Sequence, residues 1–367
     1  MKTLKAKKQA KVENTTLINF SSSVLAIFAG LMIGFIILLF TNPQQAGVGF
    51  LTILQGGFAD GLSGVGRMLY VATPIIMTGL SVGFAFKTGL FNIGASGQFT
   101  VGAFAAIFVG IKWGWLPGEI HWIVAIIAAA LFGALWGLVP GILKAFLNVN
   151  EVIASIMMNY IGMYLVNMMI VKNVYDQVKN QSLPVMRTAI LPKAGLDKLL
   201  GSNMNIGIFI AIFFVIIIYI LIEKTTFGYE LKACGHNPHA SKYAGINAKR
   251  NIVLSMSIAG ALAGVGGSLL YLSGSGKYLQ VLDNIAAEGF NGISVALLGL
   301  SHPIGILFSG LFIAHLTVGG YNLQLYDFAL EVIDIIIAVI IYFGAFALLF
   351  KNIIHSFIKR VKGDKSV

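Results

Sequence analysis

The chain has 367 residues, of which 57% are hydrophobic and only 11% charged, with a mean hydropathy of +0.86 and a formal net charge of +11. A soluble chain carries about a quarter charged residues, so composition excludes a water-soluble globular protein, and the single cysteine, Cys234, excludes an internal disulfide framework. The positive charge does not indicate a nucleic-acid partner. It gathers at the N-terminus (Lys2, Lys5, Lys7, Lys8, Lys11), in one polar loop (Lys224, Lys232, Lys242, Lys249, Arg250) and in the tail (Lys351, Lys359, Arg360, Lys362, Lys365). That is the pattern of cytoplasmic segments beside a bilayer, not an aromatic-interleaved basic face on a folded module.

Apolar blocks of about twenty residues recur, the length a helix needs to cross a bilayer. The expected fold class is therefore all-α, a polytopic membrane helix bundle of about ten spans. The first block, 20–41, follows a basic cytoplasmic N-terminus at 1–19. It is longer than a signal-peptide core, and Thr41-Asn42-Pro43-Gln44 offers no small-x-small cleavage site, so a retained signal-anchor helix is expected. Further spans fall at 68–86, 93–111, 121–146, 152–171 and 206–222, then at 252–272, 286–300, 304–318 and 328–350. An even count puts both termini on one side, and the basic segments 1–19 and 351–367 place that side in the cytoplasm, N-in and C-in.

Alternation puts 42–67 and 173–203 outside and 223–250 inside. The outer segment 173–203 carries Lys179, Arg187, Lys193 and Lys198 against Asp176 and Asp197, so the charge rule is imperfect there. No stretch between spans is long enough to fold by itself. No Walker A pattern occurs either: Lys87-Thr88 follows Phe86, and Gly276-Lys277 leads into Tyr278. Any ATP that drives this chain is bound by another one.

Polar residues inside the apolar blocks carry the functional expectation. In Lys87-Thr88-Gly89-Leu90-Phe91-Asn92-Ile93-Gly94-Ala95-Ser96-Gly97-Gln98, amide and hydroxyl groups sit among glycines. One reading is a broken helix lining a path for a polar solute, since irregular backbone at membrane depth needs protein or water around it. The other is a tight turn with helix-packing glycines. Glu288-Gly289-Phe290-Asn291-Gly292 repeats the Phe-Asn dipeptide in the second half, and paired interrupted segments point to a site between two related halves. In Asn150-Glu151-Val152, Asn150 can cap a helix and Glu151 suits its first turn, whereas Asn159 lies two turns deeper, where it can face a pore.

The loop at 223–250 reads as two short helices, one at 228–234 and one capped by Asn237, with Pro238 at its first position and Gly245 closing it. Cys234, His236 and His239 lack a fourth ligand and are split by a proline, so no metal is expected. The wording Phe-Gly-Tyr-Glu-Leu-Lys-Ala, then Gly-His-Asn-Pro, then Tyr-Ala-Gly-Ile-Asn resembles the coupling segment of ABC-importer permeases of the branched-chain amino acid and ribose superfamily, nearest the nucleoside or simple-sugar branch. The stretches 89–98 and 259–264 are similar to that family too, and the resemblance covers about 70–345.

The resemblance implies a permease domain at 20–350 in a bacterial inner membrane, with its ATPase-coupling loop at 223–250. It implies four kinds of partner: a separate ATP-binding subunit, a second permease (homologous or identical), an extracytoplasmic solute-binding protein, and a small polar solute, a nucleoside first and a simple sugar second. Asn92, Ser96, Gln98, Asn159 and Asn291 are the expected path residues; Glu230, Gly235, Asn237, Tyr243 and Gly245 are the expected coupling residues. With no nucleophile–base constellation, the chain is expected to transmit rather than catalyse, with no cofactor. The rival expectation is an ion-coupled transporter working through Glu151, Glu331 or Asp334, since intramembrane carboxylates serve as proton relays.

Overall fold

The computed structural model describes residues 2–346, 349–354 and 356. Its helices are α1 (Lys2–Thr41), α2 (Ala46–Gln55), α3 (Gly61–Lys87), α4 (Ala95–Lys112), α5 (Gly118–Leu147), α6 (Glu151–Asn173), α7 (Leu196–Leu200) and α8 (Gly207–Lys224). They continue with α9 (Thr226–His236), α10 (Pro238–Tyr243), α11 (Ala248–Tyr271), α12 (Ala287–Leu298), α13 (Pro303–Asn322) and α14 (Leu330–Ala345). The strands β1 (Tyr175–Asp176) and β2 (Gln181–Ser182) form one small antiparallel hairpin. The protein is a polytopic helical membrane bundle.

Eight of the described helical segments are long and apolar enough to cross a membrane: 21–41, α3, α4, α5, α6, α8, α11 and 303–326. The two other expected spans take a different form. The described part of α14 has 16 residues, and residues 347 and 348 lie outside the described ones. The expected span at 286–300 is α12, a helix of only 12 residues. At 1.5 Å per residue it reaches about 18 Å, short of the ~30 Å hydrocarbon core. The chain at 273–286 completes that crossing without helix, and Gly274 and Gly276, both at positive φ, are what its turns require. The basic N-terminal stretch continues α1 as helix from Lys2, and residues 357–367 of the basic tail lie outside the described residues.

Burial separates inner from outer helices. In α3 and α4, 78% of the apolar window is buried, against 22% in α1 and 28% in α5. α5 exposes Ile123, Ile127, Leu131, Leu135 and Ile142, the apolar surface a lipid-facing helix needs. Its inner face carries Gly133, Gly137 and Gly141, whose backbone lies directly on Gly260, Gly264 and Met256 of α11, the small-residue packing that lets membrane helices approach closely. A separate apolar cluster, including Leu38, Ile53, Phe328, Ile336 and Ile340, ties α1 and α2 to α14.

The bundle has two ends. One carries β1–β2, α7 and the start of α3; there Ser63 Oγ donates to Gly201 O at 3.0 Å. The other carries α9 and α10 against the end of α3, where Gly235 packs on Lys87 and Gly89. These are called below the hairpin end and the α10 end.

Candidate functional site

The expected path residues cluster around two helices that start inside the bundle. After α3 the chain turns at Gly89 (φ +71) and runs without helix through 90–94 before α4 begins. Such backbone inside a membrane protein must find its hydrogen bonds in side chains, and the buried amides supply them. Asn159 of α6 accepts from Gly97 N at 2.8 Å and donates to Ile93 O at 3.0 Å, standing in for a missing peptide group. Asn92 and Gln98 pair reciprocally at 2.8 and 3.1 Å, and Asn92 Nδ2 also donates to Ser81 Oγ at 3.1 Å. Asn92, Ser96, Gln98 and Asn159 are all buried.

α12 starts at the same depth and runs the opposite way, toward the α10 end. Its Gly289 lies on the backbone and hydroxyl of Ser96, so closely that a side chain there has no room. The Thr78 hydroxyl, within reach of the Pro74 and Ile75 carbonyls of its own helix at 3.2 and 3.1 Å, also reaches Glu288 O at 3.0 Å. Two helix N-termini therefore meet against α3 in the middle of the bundle, and Glu288 in the first turn of α12 suits the positive end of that helix.

Above this junction, toward the hairpin end, lies a cavity of about 390 Å³, within the range of small-molecule sites. Three helices turn one face each toward it: Arg67, Tyr70 and Pro74 of α3, Glu288 and Asn291 of α12, and Thr317 and Tyr321 of α13, at the three- and four-residue spacings of a helix face. Lys277 and Asn203 line it from the connections. Arg67 is ion-paired to Asp60 at 2.6 Å, and Tyr70 OH shares a hydrogen bond with Ser275 Oγ at 2.6 Å.

At the α10 end, local chemistry sets each cap. Thr225 Oγ1 accepts from Gly228 N at 3.1 Å to start α9. Asn237 Oδ1 accepts from His239 N and Ala240 N, both at 3.0 Å, to start α10, with Pro238 in the first turn. Gly245 follows α10 at φ +79. The inner side of α9 is anchored by buried Leu231 and Cys234 and by Asn251 Nδ2 donating to Glu230 Oε2 at 3.1 Å. Outward, Tyr243 is 95% exposed and Tyr229 69% exposed.

The structure thus sorts the expected residues by place. Asn291 alone among the five path candidates lines the cavity; Asn92, Gln98 and Asn159 are brought together beside it in the buried support of α4, and Ser96 is buried against Gly289 with no hydrogen-bond partner for its hydroxyl among the described residues. Among the coupling candidates, Glu230 and Gly235 face the bundle, Asn237 caps α10, and Tyr243 and Gly245 face outward. Among the described residues no cluster of three metal-ligating side chains occurs. Glu151 is ion-paired to Lys144 at 2.9 Å, and Glu331 and Asp334 lie exposed in the opening turns of α14.

Sequence reasoning did not single out Arg67, Tyr70, Lys277, Glu288, Thr317 or Tyr321. Glu288 had a usable signal, an acid inside an apolar block. Thr317 and Tyr321 have none, because their meeting with α3 and α12 is purely tertiary.

The model of the family described as branched-chain amino acid transport system / permease component matches residues 64–345. The guanosine ABC transporter permease protein NupP of Bacillus subtilis is 38% identical over 324 residues, covering 88% of this chain and 92% of that protein. The nucleoside ABC transporter permease protein NupB of Lactococcus lactis is 37% identical over 354 residues, 94% of each. A glucose ABC transporter permease protein of Haloferax volcanii is 30% identical over 336 residues, 88% of this chain and 86% of that protein. No solved structure gives a significant match. The matched region runs from the start of α3 to the end of the described part of α14 and so contains the cavity, the α4–α12 junction and the α9–α10 element; the chain belongs to the branched-chain amino acid transport system permease family, as a multi-pass membrane transport subunit and not an enzyme.

Proposed function

We propose that this chain forms one side of the translocation path of an ABC importer that carries nucleosides across the cell membrane. The observation that carries the reading is the cavity of about 390 Å³ that ends at the α4–α12 junction. It holds polar groups from three helices at membrane depth, where unsatisfied polar groups are expensive unless a solute or water meets them. The relatives named for guanosine and nucleosides support the substrate class, and the one named for glucose makes a simple sugar the second choice.

In this reading the α10 end faces the cytoplasm, in keeping with Lys224, Lys232, Lys242, Lys249 and Arg250 there. α10 and its exposed Tyr243 enter a groove on a separate ATP-binding subunit. A solute-binding protein delivers the solute at the hairpin end, and a second permease, homologous or identical, completes the path. The segment 88–98 links the two working regions: Gly235 of α9 rests on Gly89, and Ser96 rests on Gly289 of α12. Its buried amides make it stiff enough to carry a displacement of α9 to the floor of the cavity. The domain limits follow the same reading, with the permease domain at 20–350 and the coupling loop at 223–250 between basic termini at 1–19 and 351–367.

Uptake of labelled uridine and glucose by cells with and without this chain tests the substrate class. Deleting the chain should abolish ATP-dependent uridine uptake and leave glucose uptake unchanged. Unchanged uridine uptake with lost glucose uptake would replace the nucleoside reading with the sugar one.

A further inference from the structure

We propose that Glu288 is the selectivity group of the cavity, accepting hydrogen bonds from an uncharged nucleoside and keeping out its phosphorylated form. The proposal rests on the reading of the cavity as a nucleoside path and adds the residue that decides charge.

Three ionisable groups of fixed charge line the cavity, and they are not equivalent. Arg67 is bound to Asp60 at 2.6 Å, so its charge is already matched. Lys277 is exposed in the connection at the hairpin end, the side from which a solute enters. Glu288 is deepest, in the first turn of α12 where that helix meets α3 and α4. Its main-chain carbonyl is held by Thr78 Oγ1 at 3.0 Å, which fixes the start of the helix, while its carboxylate is in no ion pair among the described residues.

A solute moving inward therefore meets matched or solvated charge first and an unmatched carboxylate last. A carboxylate is an acceptor only. It suits the O–H groups of a ribose or the N–H groups of a base, and such charge-assisted bonds are stronger than neutral ones. Asn291, one turn along the same face, both donates and accepts, and the half-exposed ring of Tyr321 offers a surface for a base. A phosphate brings two negative charges to the same place; among the described residues the one unpaired cation lining the cavity is Lys277, at its hairpin end, and the low dielectric of the bundle strengthens the repulsion at the floor.

Saturation-transfer NMR on the permease–ATPase complex in nanodiscs, without the solute-binding protein, reads this directly with uridine and uridine 5′-monophosphate as probes. The wild-type complex should give a uridine signal at least about tenfold above that of the monophosphate. Glu288→Gln should weaken the uridine signal, because its bonds are no longer charge-assisted, and raise that of the monophosphate until the two are comparable, and Glu288→Asp should restore exclusion. ATPase activity of each complex reports that it is intact. Equal signals from both probes in the wild type would overturn the proposal without recourse to any variant, and so would undiminished exclusion in an active Glu288→Gln complex. No uridine signal from a wild-type complex that imports uridine would instead overturn the reading of the cavity, and the selectivity role with it.

Discussion

Asn159, Asn92 and Gln98 show how one residue type serves two ends in a membrane protein. An amide inside an apolar block is unaffordable unless something answers it, and sequence alone leaves open whether that partner is a solute or the chain itself. Here it is the chain: Asn159 closes on Gly97 N and Ile93 O, and Asn92 closes on Gln98. That these amides matter was legible from their setting. Their direction was not, because 90–94 is not helical and helical phase cannot be carried across it. Asn159→Leu leaves two buried backbone groups unanswered, at about 1–3 kcal/mol each. The variant should melt at a clearly lower temperature in detergent, and thermal unfolding followed by tryptophan fluorescence checks it. A wild-type melting temperature would remove Asn159 from the support of α4.

At the scale of elements, periodicity and length located most spans to within a few residues, because apolar blocks of about twenty are fixed by bilayer thickness. It misjudged α12, where an apolar run of suitable length hides a helix of 12 residues preceded by irregular chain. The glycines at 274 and 276 are the local trace of that difference. The caps at Asn237 and Gly245 were legible in full, since side-chain acceptors and positive φ act within a few residues.

Two substitutions separate docking from transmission. Gly245 sits at φ +79 with open space around it, whereas proline fixes φ near −65°. Gly245→Pro should abolish uptake by redirecting the chain after α10, with the protein present at normal level in membranes. Wild-type uptake in that variant would take Gly245 out of the coupling element. Gly235→Leu places a side chain where a Cβ would already lie 2.6 Å from Lys87 O and 2.9 Å from Gly89 N. It should reduce uptake at least about tenfold while the ATP-binding subunit still co-purifies. Full uptake would show that α9 does not act through the turn at Gly89.

For the whole molecule, the route of the chain puts the end of α1, the start of α3 and the turn between α13 and α14 at the hairpin end, while Ala26 of α1 and Phe350 after α14 meet Leu298 of α12 at the α10 end. The recurrence of apolar blocks of membrane-spanning length is why the helical bundle could be read from sequence with so little local information. The cavity could not be read that way, because it exists only where faces of α3, α12 and α13 converge. The described residues contain a solute-sized cavity, a buried internal segment and an exposed short helix, and the sequence holds no Walker A pattern. In the proposed importer the motor is a separate chain.

Purification of this chain from its native membrane in gentle detergent, with identification of the proteins that accompany it, examines that dependence directly. A P-loop ATPase should be recovered in stoichiometric amount, and its recovery should fall when the exposed face of α10 is altered at Tyr243. Recovery of the chain alone, still able to move nucleoside into proteoliposomes without ATP, would contradict the importer assignment and turn attention to Glu331 and Asp334 of α14.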